Sequence, residues 1–416
     1  MDKYVVEGGA TLKGSVRVSG AKNSALKLMA ASIMASEECV IRNVPDIADV
    51  RTMRELLVHM GLELEHESKT MRIVPSSNPR PEAPYEIVQK MRASIVVLGP
   101  ILTRFGSAHV AMPGGCNIGS RQIDLHIKGL TEMGADISVL HGFIEAKAKR
   151  LKGARIYLEL PSVGATENLL MAACMAKGTT IIENAAMEPE ITDLAEFLLK
   201  LGARITGIGT HTLEIQGVDY LGSAEQTVIG DRVEGGTFLI AGAITRGEVK
   251  VEGLNPLHLD IVLEKMREAG CAIEVGDNWV RVSIPGELTG IEISTLPYPG
   301  FPTDLQPQMV ALLSTAQGIS FVTENIFDNR FMVVDELNRL GANIKTRNHH
   351  AIIHGVPRLS GAPVTATDLR AGAALVIAGL CAEGETVVHD IYHIDRGYEC
   401  FEDKLRGVGA KIVRTS

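Results

Sequence analysis

Aromatic residues, excess positive charge and long apolar runs are all scarce in this chain of 416 residues, and each scarcity argues against a class of protein. One Trp, seven Tyr and nine Phe argue against a nucleic-acid surface built from stacked aromatic rings. The net charge of -9 disfavours a surface that binds polyanions throughout, although a local basic pocket is compatible with it. No apolar run reaches about 18 residues, and the first residues lack the apolar segment of a signal peptide. These features favour a soluble cytoplasmic protein that binds neither nucleic acid nor membrane.

The six cysteines lie far apart and none forms a CxxC pair, which argues against a zinc ribbon or a dithiol redox centre. Sparse thiols in a large chain are typical of a reducing cytoplasm. The GxxxxGK[ST] motif of P-loop proteins, a GxGxxG turn at a first strand and the HExxH spacing of zinc enzymes are also missing. We therefore expect neither a metal ion nor a cofactor.

What the chain does contain is a repeat of about 70 residues. Six times, an amphipathic helix ends in Gly and runs into a short apolar strand, as in FLLKLGARIT, whose apolar residues recur at helical spacing. The marker glycines, which can take the left-handed conformation that ends a helix, are Gly61, Gly134, Gly202, Gly270, Gly341 and Gly409. Each unit is predicted to run strand, helix, strand, helix, strand, and 45% apolar residues are enough for a substantial core.

The second unit departs from this template. In place of an Ala- and Leu-rich helix it carries the Gly-rich segment MPGGCNIGSRQIDLHI (112–127). Such a segment is either adapted to a function or a surface loop without one. Six units divide naturally into two domains of three, and ligand sites favour the cleft between domains. The sixth unit needs strand neighbours, which we expect the first ~20 residues to supply.

Five basic residues are placed just before or at the start of a predicted helix, namely Lys22, Arg121, Arg330, Arg370 and Arg396. A helix start offers free N–H groups and a positive dipole end, so a cation there favours an anionic ligand. The small residues of SVGAT (162–166) before a helix are another candidate anion site. For the five cations together, solvation or pairing with Asp328, Asp368 and Asp395 is an equally open alternative.

Two residues have side chains suited to acid–base chemistry. Cys116 alone among the cysteines is flanked by glycines, and nearby cations would favour its reactive thiolate, but an inert loop cysteine fits the pattern equally. Asp304, in PYPGFPTDLQPQ, can act as the N-cap of the following helix or as a general base beside a sugar hydroxyl.

Several longer motifs carry a resemblance that covers essentially the whole chain. They are GAKNSAL, MRASIVVLGP (91–100), PGGCNIGSRQIDLH, SVGATEN, FPTDLQ, DNRF, ATDLRAGAAL and YHIDRGYE. With them the sequence resembles the enolpyruvyl transferases of the EPSP synthase family, and among these the branch that uses UDP-N-acetylglucosamine.

This resemblance implies an α/β fold, an inside-out α/β barrel of two domains built from six repeated βαβαβ-type units. One domain would cover residues 21–229, with units one to three and the Cys116 loop. The other would join residues 1–20 to 230–416, with units four to six. The active site is expected in the cleft between the two domains.

The implied reaction moves enolpyruvate from phosphoenolpyruvate to the 3′-hydroxyl of UDP-N-acetylglucosamine by addition and elimination, with release of phosphate, in peptidoglycan precursor synthesis. By resemblance, Cys116 donates a proton or assists product release, Asp304 is the base, and Lys22 and Arg396 also take part in catalysis. By resemblance, phosphoenolpyruvate contacts Lys22, Arg121 and Arg396, with Arg330 and Arg370 nearby, and the tetrahedral intermediate accepts a hydrogen bond from Asn23. The implied sugar-nucleotide contacts are Arg92, Arg121, Gln122, Ile123, Asp124, Leu125, Ser162, Val163, Gly164, Asp304 and Ile326. A covalent adduct of Cys116 with phosphoenolpyruvate and inactivation by fosfomycin are implied as well.

The chain departs from the family pattern at one place, where some members have Lys two residues before the SVG motif and this chain has Leu160-Pro161. A diphosphate contact from that lysine is then lost or supplied by another residue. Sister enzymes that act on shikimate 3-phosphate share the implied fold and chemistry, but the Cys116 loop and RQIDLH distinguish this chain from them. A repeat ring that encircles DNA is an alternative of another class, and it would need neither Cys116 in a loop nor cations at helix starts.

Overall fold

The computed structural model describes residues 2–75, 78–113 and 123–416. Its strands are β1 (Lys3–Glu7), β2 (Lys13–Arg17), β3 (Cys39–Arg42), β4 (Glu63–Glu67), β5 (Thr70–Val74), β6 (Glu82–Ala83), β7 (Ser107–Ala111), β8 (Asp136–Leu140), β9 (Phe143–Lys147), β10 (Arg155–Tyr157), β11 (Thr179–Glu183), β12 (Arg204–Thr206), β13 (Thr212–Gln216), β14 (Ala224–Thr227), β15 (Glu248–Glu252), β16 (Ala272–Val275), β17 (Trp279–Ser283), β18 (Glu292–Ser294), β19 (Ile319–Thr323), β20 (Asn343–Arg347), β21 (His350–His354), β22 (Pro363–Thr365), β23 (Glu385–His389) and β24 (Lys411–Thr415).

The α-helices are α1 (Lys22–Ala31), α2 (Ala48–His59), α3 (Tyr85–Val88), α4 (Leu98–Phe105), α5 (Asp124–Glu132), α6 (Val163–Ala173), α7 (Pro189–Leu201), α8 (Arg232–Ile244), α9 (Asp260–Glu268), α10 (Gln306–Leu313), α11 (Val333–Arg339), α12 (Leu369–Cys381), α13 (Tyr392–Asp395) and α14 (Phe401–Gly407). Short 3-10 helices cover Ser32–Met34, Arg92–Val97, Pro256–Leu259, Thr303–Leu305 and Arg330–Met332. Within the described ranges, no helix is both long and apolar enough to cross a membrane.

Each of the first five repeats contains one strand more than the sequence predicts, and the sixth takes its fourth strand, β1, from the start of the chain. The third unit, for example, runs β10, α6, β11, α7, β12, β13, and its last two strands form an antiparallel hairpin. The extra strand is β13, which is half-buried, with Leu213 and Ile215 inward and polar residues outward. The prediction of five elements per unit is therefore wrong by one strand.

Within the described residues, the strands form six four-stranded sheets with one common order. The first and second strands of a sheet are parallel, as β10 and β11 are, and in four of the six sheets a helical segment connects the two. The other two strands add antiparallel, so that β11 pairs with β13 and β13 with β12. In the sixth sheet β1 takes the place between β23 and β24, which confirms the prediction that the start of the chain completes the last unit.

The chain divides into two compact units. One comprises residues 20–229 and the other residues 2–19 with 230–416, within the described ranges. The chain passes from one unit to the other twice. Near each passage, one strand joins the sheet of a different repeat instead of the sheet of the repeat that follows it in the chain. Strand β14 adds in parallel to β3 in the first unit, and β2 adds in parallel to β15 in the second.

Each unit has its own hydrophobic core, in which helices lie inside and sheets lie outside. In the unit of residues 2–19 and 230–416, every residue of α8 and α10 is buried, and α12 packs against both. The sheets turn one face to these helices and one to water, as the alternating burial of β13 shows. Ala, Leu, Ile and Val dominate both cores, which agrees with the scarcity of aromatic residues.

Candidate functional site

Lys22 and Asn23 are the first two residues of α1 in the unit of residues 20–229. The chain reaches this helix through Gly20, where a Cβ would lie 1.8 Å from the carbonyl oxygen of Asn43, so only glycine fits this approach. Lys22 Nζ lies 2.8 Å from Oδ2 of Asp49, a buried residue of α2. The ammonium group is thus held at the helix start by a carboxylate that sequence reasoning did not identify.

One turn below, Lys27 links Asn23 to a buried carboxyl group. Its Nζ donates to the backbone oxygen of Asn23 at 3.0 Å and lies 3.2 Å from Oε2 of Glu167 in α6. Burial raises the pKa of Glu167 to about 7, with Lys27 opposing the shift and Glu190 and Glu188 adding to it. This pair fixes the backbone that carries two of the predicted site residues.

The predicted sugar-nucleotide residues of this unit lie at the starts of three helices. Arg92 begins the 3-10 helix Arg92–Val97, Ile123 precedes α5, and Ser162 caps α6 by accepting the N–H of Ala165 at 3.3 Å. Asp124 and Leu125 open α5, and Val163 and Gly164 open α6. Helices α5 and α6 pack against each other, so the residues at their starts lie on neighbouring helices.

Sequence reasoning missed His126, one residue beyond the motif residues of α5. Its ring is buried and its Nδ1 lies 2.9 Å from Nδ2 of Asn168 in α6. Burial, together with the positive charge of Arg92, lowers the pKa of His126 to about 4. The signal available in the sequence was the position of His126 within RQIDLH, the motif that carries the resemblance.

In the unit of residues 2–19 and 230–416, Asp304 lies between two arginines. Arg370 donates to its Oδ2 through Nη2 at 3.0 Å and Nε at 3.3 Å, and Arg330 Nη2 donates to Oδ1 at 3.4 Å. Both guanidinium groups are buried, whereas the Asp304 side chain is 28% exposed. The carboxylate turns to the arginines and makes no capping bond to a helix, so the interpretation of Asp304 as an N-cap is wrong.

Arg330 and Arg370 both pair with carboxylates, which is the alternative that the sequence left open for the basic residues at helix starts. Arg330 lies 3.7 Å from Asp368, which caps α12 by accepting the N–H groups of Arg370 and Ala371. Burial opposes the charge on Arg370, but Asp304 and further neighbours outweigh it and raise its pKa. These ion pairs hold Arg330 and Arg370 in place around Asp304.

Beneath Arg370 lies a buried polar group that the sequence did not reveal. The guanidinium carbon of Arg370 is 5.4 Å from the ring centre of Tyr398. The Tyr398 hydroxyl is 2.9 Å from Oγ1 of Thr237, and Gln308 Nε2 donates to both oxygens at 3.1 and 3.3 Å. These residues come from α8, α10 and the segment before α14, and they support Arg370 from within the core.

Ile326 follows a buried carboxylate, Glu324, that joins its loop to the Asp304 segment. Oε1 of Glu324 accepts the N–H groups of Ile326 at 2.8 Å and Phe327 at 3.1 Å, while Oε2 accepts the hydroxyl of Thr303 at 3.1 Å. The structure therefore brings Asp304 and Ile326 together through one side chain.

Arg396 differs from its predicted setting. It follows the last residue of the short helix α13 and does not begin a helix, because the chain turns at Gly397 before α14. Asp395, one of the predicted partners, pairs with Arg414 at 2.7 Å. Three further site residues predicted from the sequence, Cys116, Arg121 and Gln122, lie outside the described residues.

Comparison with known proteins decides the family. A family model described as EPSP synthase (3-phosphoshikimate 1-carboxyvinyltransferase) matches residues 6–405 of the chain. The chain belongs to the EPSP synthase family. This member of the EPSP synthase family is 53% identical over 412 residues to the UDP-N-acetylglucosamine 1-carboxyvinyltransferase 1 of Caldanaerobacter subterraneus subsp. tengcongensis, with 99% of each chain covered.

Solved structures of an enolpyruvyl transferase and of an EPSP synthase share the fold. The enolpyruvyl transferase NikO from Streptomyces tendae superimposes with a TM-score of 0.90 at 25% identity, covering 100% of this chain and 99% of that one. EPSP synthase from Acinetobacter baumannii gives a TM-score of 0.78 at 18% identity, with 100% of both chains covered. These comparisons confirm the predicted family resemblance, the predicted enolpyruvyl transferase fold and the prediction that the chain is an enzyme.

Proposed function

We propose that this protein transfers the enolpyruvyl group of phosphoenolpyruvate to the 3′-hydroxyl of UDP-N-acetylglucosamine and releases phosphate. The observation that carries the proposal is the 53% identity, over 99% of both chains, to a UDP-N-acetylglucosamine 1-carboxyvinyltransferase. The reaction would supply a precursor of peptidoglycan. Because both substrates are charged, soluble molecules, we place it in the cytoplasm.

The proposed chemistry has an addition and an elimination. In the addition, the 3′-oxygen bonds to C2 of phosphoenolpyruvate, C3 gains a proton and the hydroxyl loses one. In the elimination, C3 loses a proton, the bond between C2 and the phosphate oxygen breaks, and the double bond forms again. Phosphate is the leaving group, and no oxidant or reductant takes part.

Asp304 is suited to receive the hydroxyl proton. Arg330 and Arg370 hold both of its oxygens, and the carboxylate is still 28% exposed. A base fixed in this way needs little reorganisation when the proton moves. We assign the proton donor for C3 to Cys116, which lies outside the described residues.

Fixed cations are the second requirement, because phosphoenolpyruvate carries a phosphate and a carboxylate. Lys22 opens α1 beside Asp49, and Arg330 and Arg370 are buried with their ion-pair partners. We propose that these side chains, with Arg121 and Arg396, bind the anionic groups and that Asn23 binds the tetrahedral intermediate. Held donors of this kind stabilise developing charge more than mobile ones do.

A phosphate-release assay tests the function directly. We expect release from phosphoenolpyruvate only when UDP-N-acetylglucosamine is present, and an intact-protein mass that increases after incubation with fosfomycin, with the modification mapped to Cys116. The Cys116→Ser variant serves as the control for the mapped thiol. Release that depends on shikimate 3-phosphate instead would overturn the proposed acceptor.

A further inference from the structure

Three successive residues attach the first turn of α1 to three different helices. Lys22 pairs with a carboxylate of α2, and the backbone of Asn23 is linked through Lys27 to a carboxyl group of α6. The third residue, Ser24, donates its hydroxyl to Oδ2 of Asp193, a buried residue of α7. The proposed chemistry uses Lys22 and Asn23 and assigns no role to this third attachment.

Asp193 holds the start of α1 from a second side as well. Its Oδ2 also accepts the backbone N–H of Ile229 at 3.3 Å, and the oxygen of Ile229 accepts the N–H of Ala21 at 2.7 Å. Ala21 is the N-cap residue of α1, and its methyl side chain cannot accept the N–H groups of the first turn. The hydrogen bonds therefore close a ring that runs from Asp193 through Ile229, Ala21 and the first turn back to Ser24.

The remaining oxygen of Asp193 binds a donor of fixed polarity. Its Oδ1 accepts Nε2 of Gln226 in β14 at 2.6 Å. The orientation of that amide is determined because Oε1 of Gln226 accepts a hydrogen bond from Lys200, which can only donate. The backbone N–H of Ile229 can also only donate. An ionised carboxylate accepts from all three partners, including the hydroxyl of Ser24.

An amide at position 193 cannot replace this carboxylate in either orientation. With its nitrogen in the place of Oδ2, the amide would face the N–H of Ile229, and in the place of Oδ1 it would face Nε2 of Gln226. Burial raises the pKa of Asp193, and the three hydrogen bonds oppose this shift. The network is thus built for a charged acceptor, although the site is closed to water.

From this geometry we propose that Asp193 is a positioning residue for the binding and conversion of phosphoenolpyruvate. It fixes the first turn of α1, which carries Lys22 and Asn23. The inference rests on the proposed function, in which these two residues bind phosphoenolpyruvate and the tetrahedral intermediate. Asp193 is 1% exposed and acts through Ser24 and Ile229. A displacement of about 1 Å in groups that bind a reacting substrate can cost ~10²-fold in rate.

Steady-state kinetics of Asp193→Asn test this role. We expect kcat/KM for phosphoenolpyruvate to fall about 10- to 100-fold, because one donor–donor contact remains and the helix start is displaced. The KM for UDP-N-acetylglucosamine should stay within about threefold, since most of its predicted contacts in this unit lie at the starts of other helices. Ile144→Ala removes a buried side chain of β9 in the same unit and is the matched control for lost stability. At a temperature where both variants are folded, a wild-type kcat/KM in Asp193→Asn would overturn the proposal.

Exchanging the carboxylate and the amide should restore the network. In Asp193→Asn combined with Gln226→Glu, the new amide nitrogen donates to the new carboxylate, and the amide oxygen accepts from Ser24 and Ile229. Lys200 then pairs with the new carboxylate. We expect the double variant to recover kcat/KM for phosphoenolpyruvate to within about threefold of the wild type, whereas Gln226→Glu alone places two carboxylates in contact. A folded double variant with a low kcat/KM would overturn the proposal, and this comparison decides it even if neither single variant folds.

Hydrogen exchange of the unliganded protein follows the helix start without any turnover. Peptides that cover residues 21–26 and 226–231 should exchange faster in Asp193→Asn than in the wild type, and the double variant should regain the wild-type rates. Ile144→Ala should leave both segments unchanged. Equal exchange of residues 21–26 in wild type and Asp193→Asn would contradict the positioning role. Failure of the wild type to turn over UDP-N-acetylglucosamine would refute the proposed function instead, which the phosphate-release assay shows separately.

Discussion

Asp304 is held by two buried cations of its unit, and one of them, Arg330, also lies 3.7 Å from Asp368. Arg370 is buried and contacts Oδ2, and Arg330 is buried and contacts Oδ1. A buried charge without its partner costs several kcal/mol. The two buried guanidinium groups therefore stabilise the Asp304 carboxylate in its position between them. The same ion pairs therefore serve both folding and the proposed proton transfer.

Asp304→Asn keeps the shape of this side chain and removes its charge. We expect kcat to fall about 10²- to 10⁴-fold because the amide cannot accept the hydroxyl proton, with a smaller change in KM for the sugar nucleotide. Steady-state kinetics with phosphate detection measure both constants. Asp328→Asn, an exposed carboxylate on the segment after β19, is the control and should keep the wild-type kcat. A wild-type kcat in Asp304→Asn would remove the assigned role.

The buried pair of Lys27 and Glu167 makes stability depend on pH. Burial raises the pKa of Glu167 to about 7 from its ordinary value of 4.5. Between these values the native state holds a proton that the unfolded state has released, so the free energy of unfolding decreases as pH rises. Below about pH 4.5 both states are protonated and the penalty disappears.

Glu167→Gln tests this dependence with an uncharged side chain of the same length. Relative to this variant, the wild type should lose stability as pH increases from 4.5 to 7, by at most about 3 kcal/mol. Urea unfolding at a series of pH values measures the difference. Glu196→Gln, which removes an exposed carboxylate of α7, controls for the loss of one charge. A difference between wild type and Glu167→Gln that is the same at every pH would contradict the raised pKa.

The sequence could predict candidate site residues that belong to a motif, but not the residues that hold them in position. Lys22, Asp304 and Arg370 stand in recognisable segments, whereas the partner of His126 is Asn168, 42 residues away. That contact exists only because α5 packs on α6, and no local pattern in the chain encodes it. Arg396 was misplaced for a related reason, since the short helix α13 ends before it.

At the scale of elements, helix α8 shows how glycine allows close packing in a buried layer. It contains Gly235, Gly236 and Gly242, and each would bring a Cβ within 3.0 Å of a neighbouring side chain. A Cβ on Gly236 would lie 2.5 Å from Cδ1 of Leu305, the residue next to Asp304. The close approach of α8 to the Thr303–Leu305 helix therefore depends on the missing side chain.

Gly236→Ala should destabilise the protein although alanine favours helices. Displacing fully buried Leu305 costs about 1–3 kcal/mol, which exceeds the ~1 kcal/mol that alanine gains over glycine in a helix. We also expect a lower kcat because Asp304 moves with its neighbour. Gly407→Ala, at an exposed position in the last turn of α14 with open space around it, is the matched control and should keep or gain stability. Thermal unfolding and kcat of both variants check this, and an equal gain in both would refute the packing argument.

The elements themselves were predictable because helix ends leave a local signal. All six marker glycines have positive φ, from 88° at Gly341 to 106° at Gly202, which confirms the predicted left-handed ends. The fourth strand of each repeat does not directly follow a marker glycine. Strand exchange at β2 and β14 was equally hidden, because the pattern of a strand does not say which sheet it joins.

At the scale of the whole molecule, the first strand belongs to the last repeat. β1 pairs with β23 on one side and β24 on the other, and Tyr4 is fully buried with its hydroxyl 2.7 Å from Glu402. Without β1, the two neighbouring strands would each lose an entire edge of backbone hydrogen bonds. The unit that contains residues 230–416 therefore depends on chain supplied by residues 3–7.

Deleting residues 2–8 should unfold this unit and leave residues 20–229 protected from limited proteolysis, because that unit has a core of its own. Mass spectrometry of the fragments identifies which residues survive.

The matched control moves the strand instead of removing it. In this control the chain starts at Gly9 and continues from Ser416 through a two- to four-residue turn into residues 2–8. Lys3 is the register partner of Thr415 in an antiparallel pair, so this turn would close a β-hairpin. We expect the rearranged chain to regain the native thermal midpoint and turnover, since the same hydrogen bonds form with a different connectivity. If the deleted chain alone unfolded at the wild-type temperature, the last sheet would not need β1.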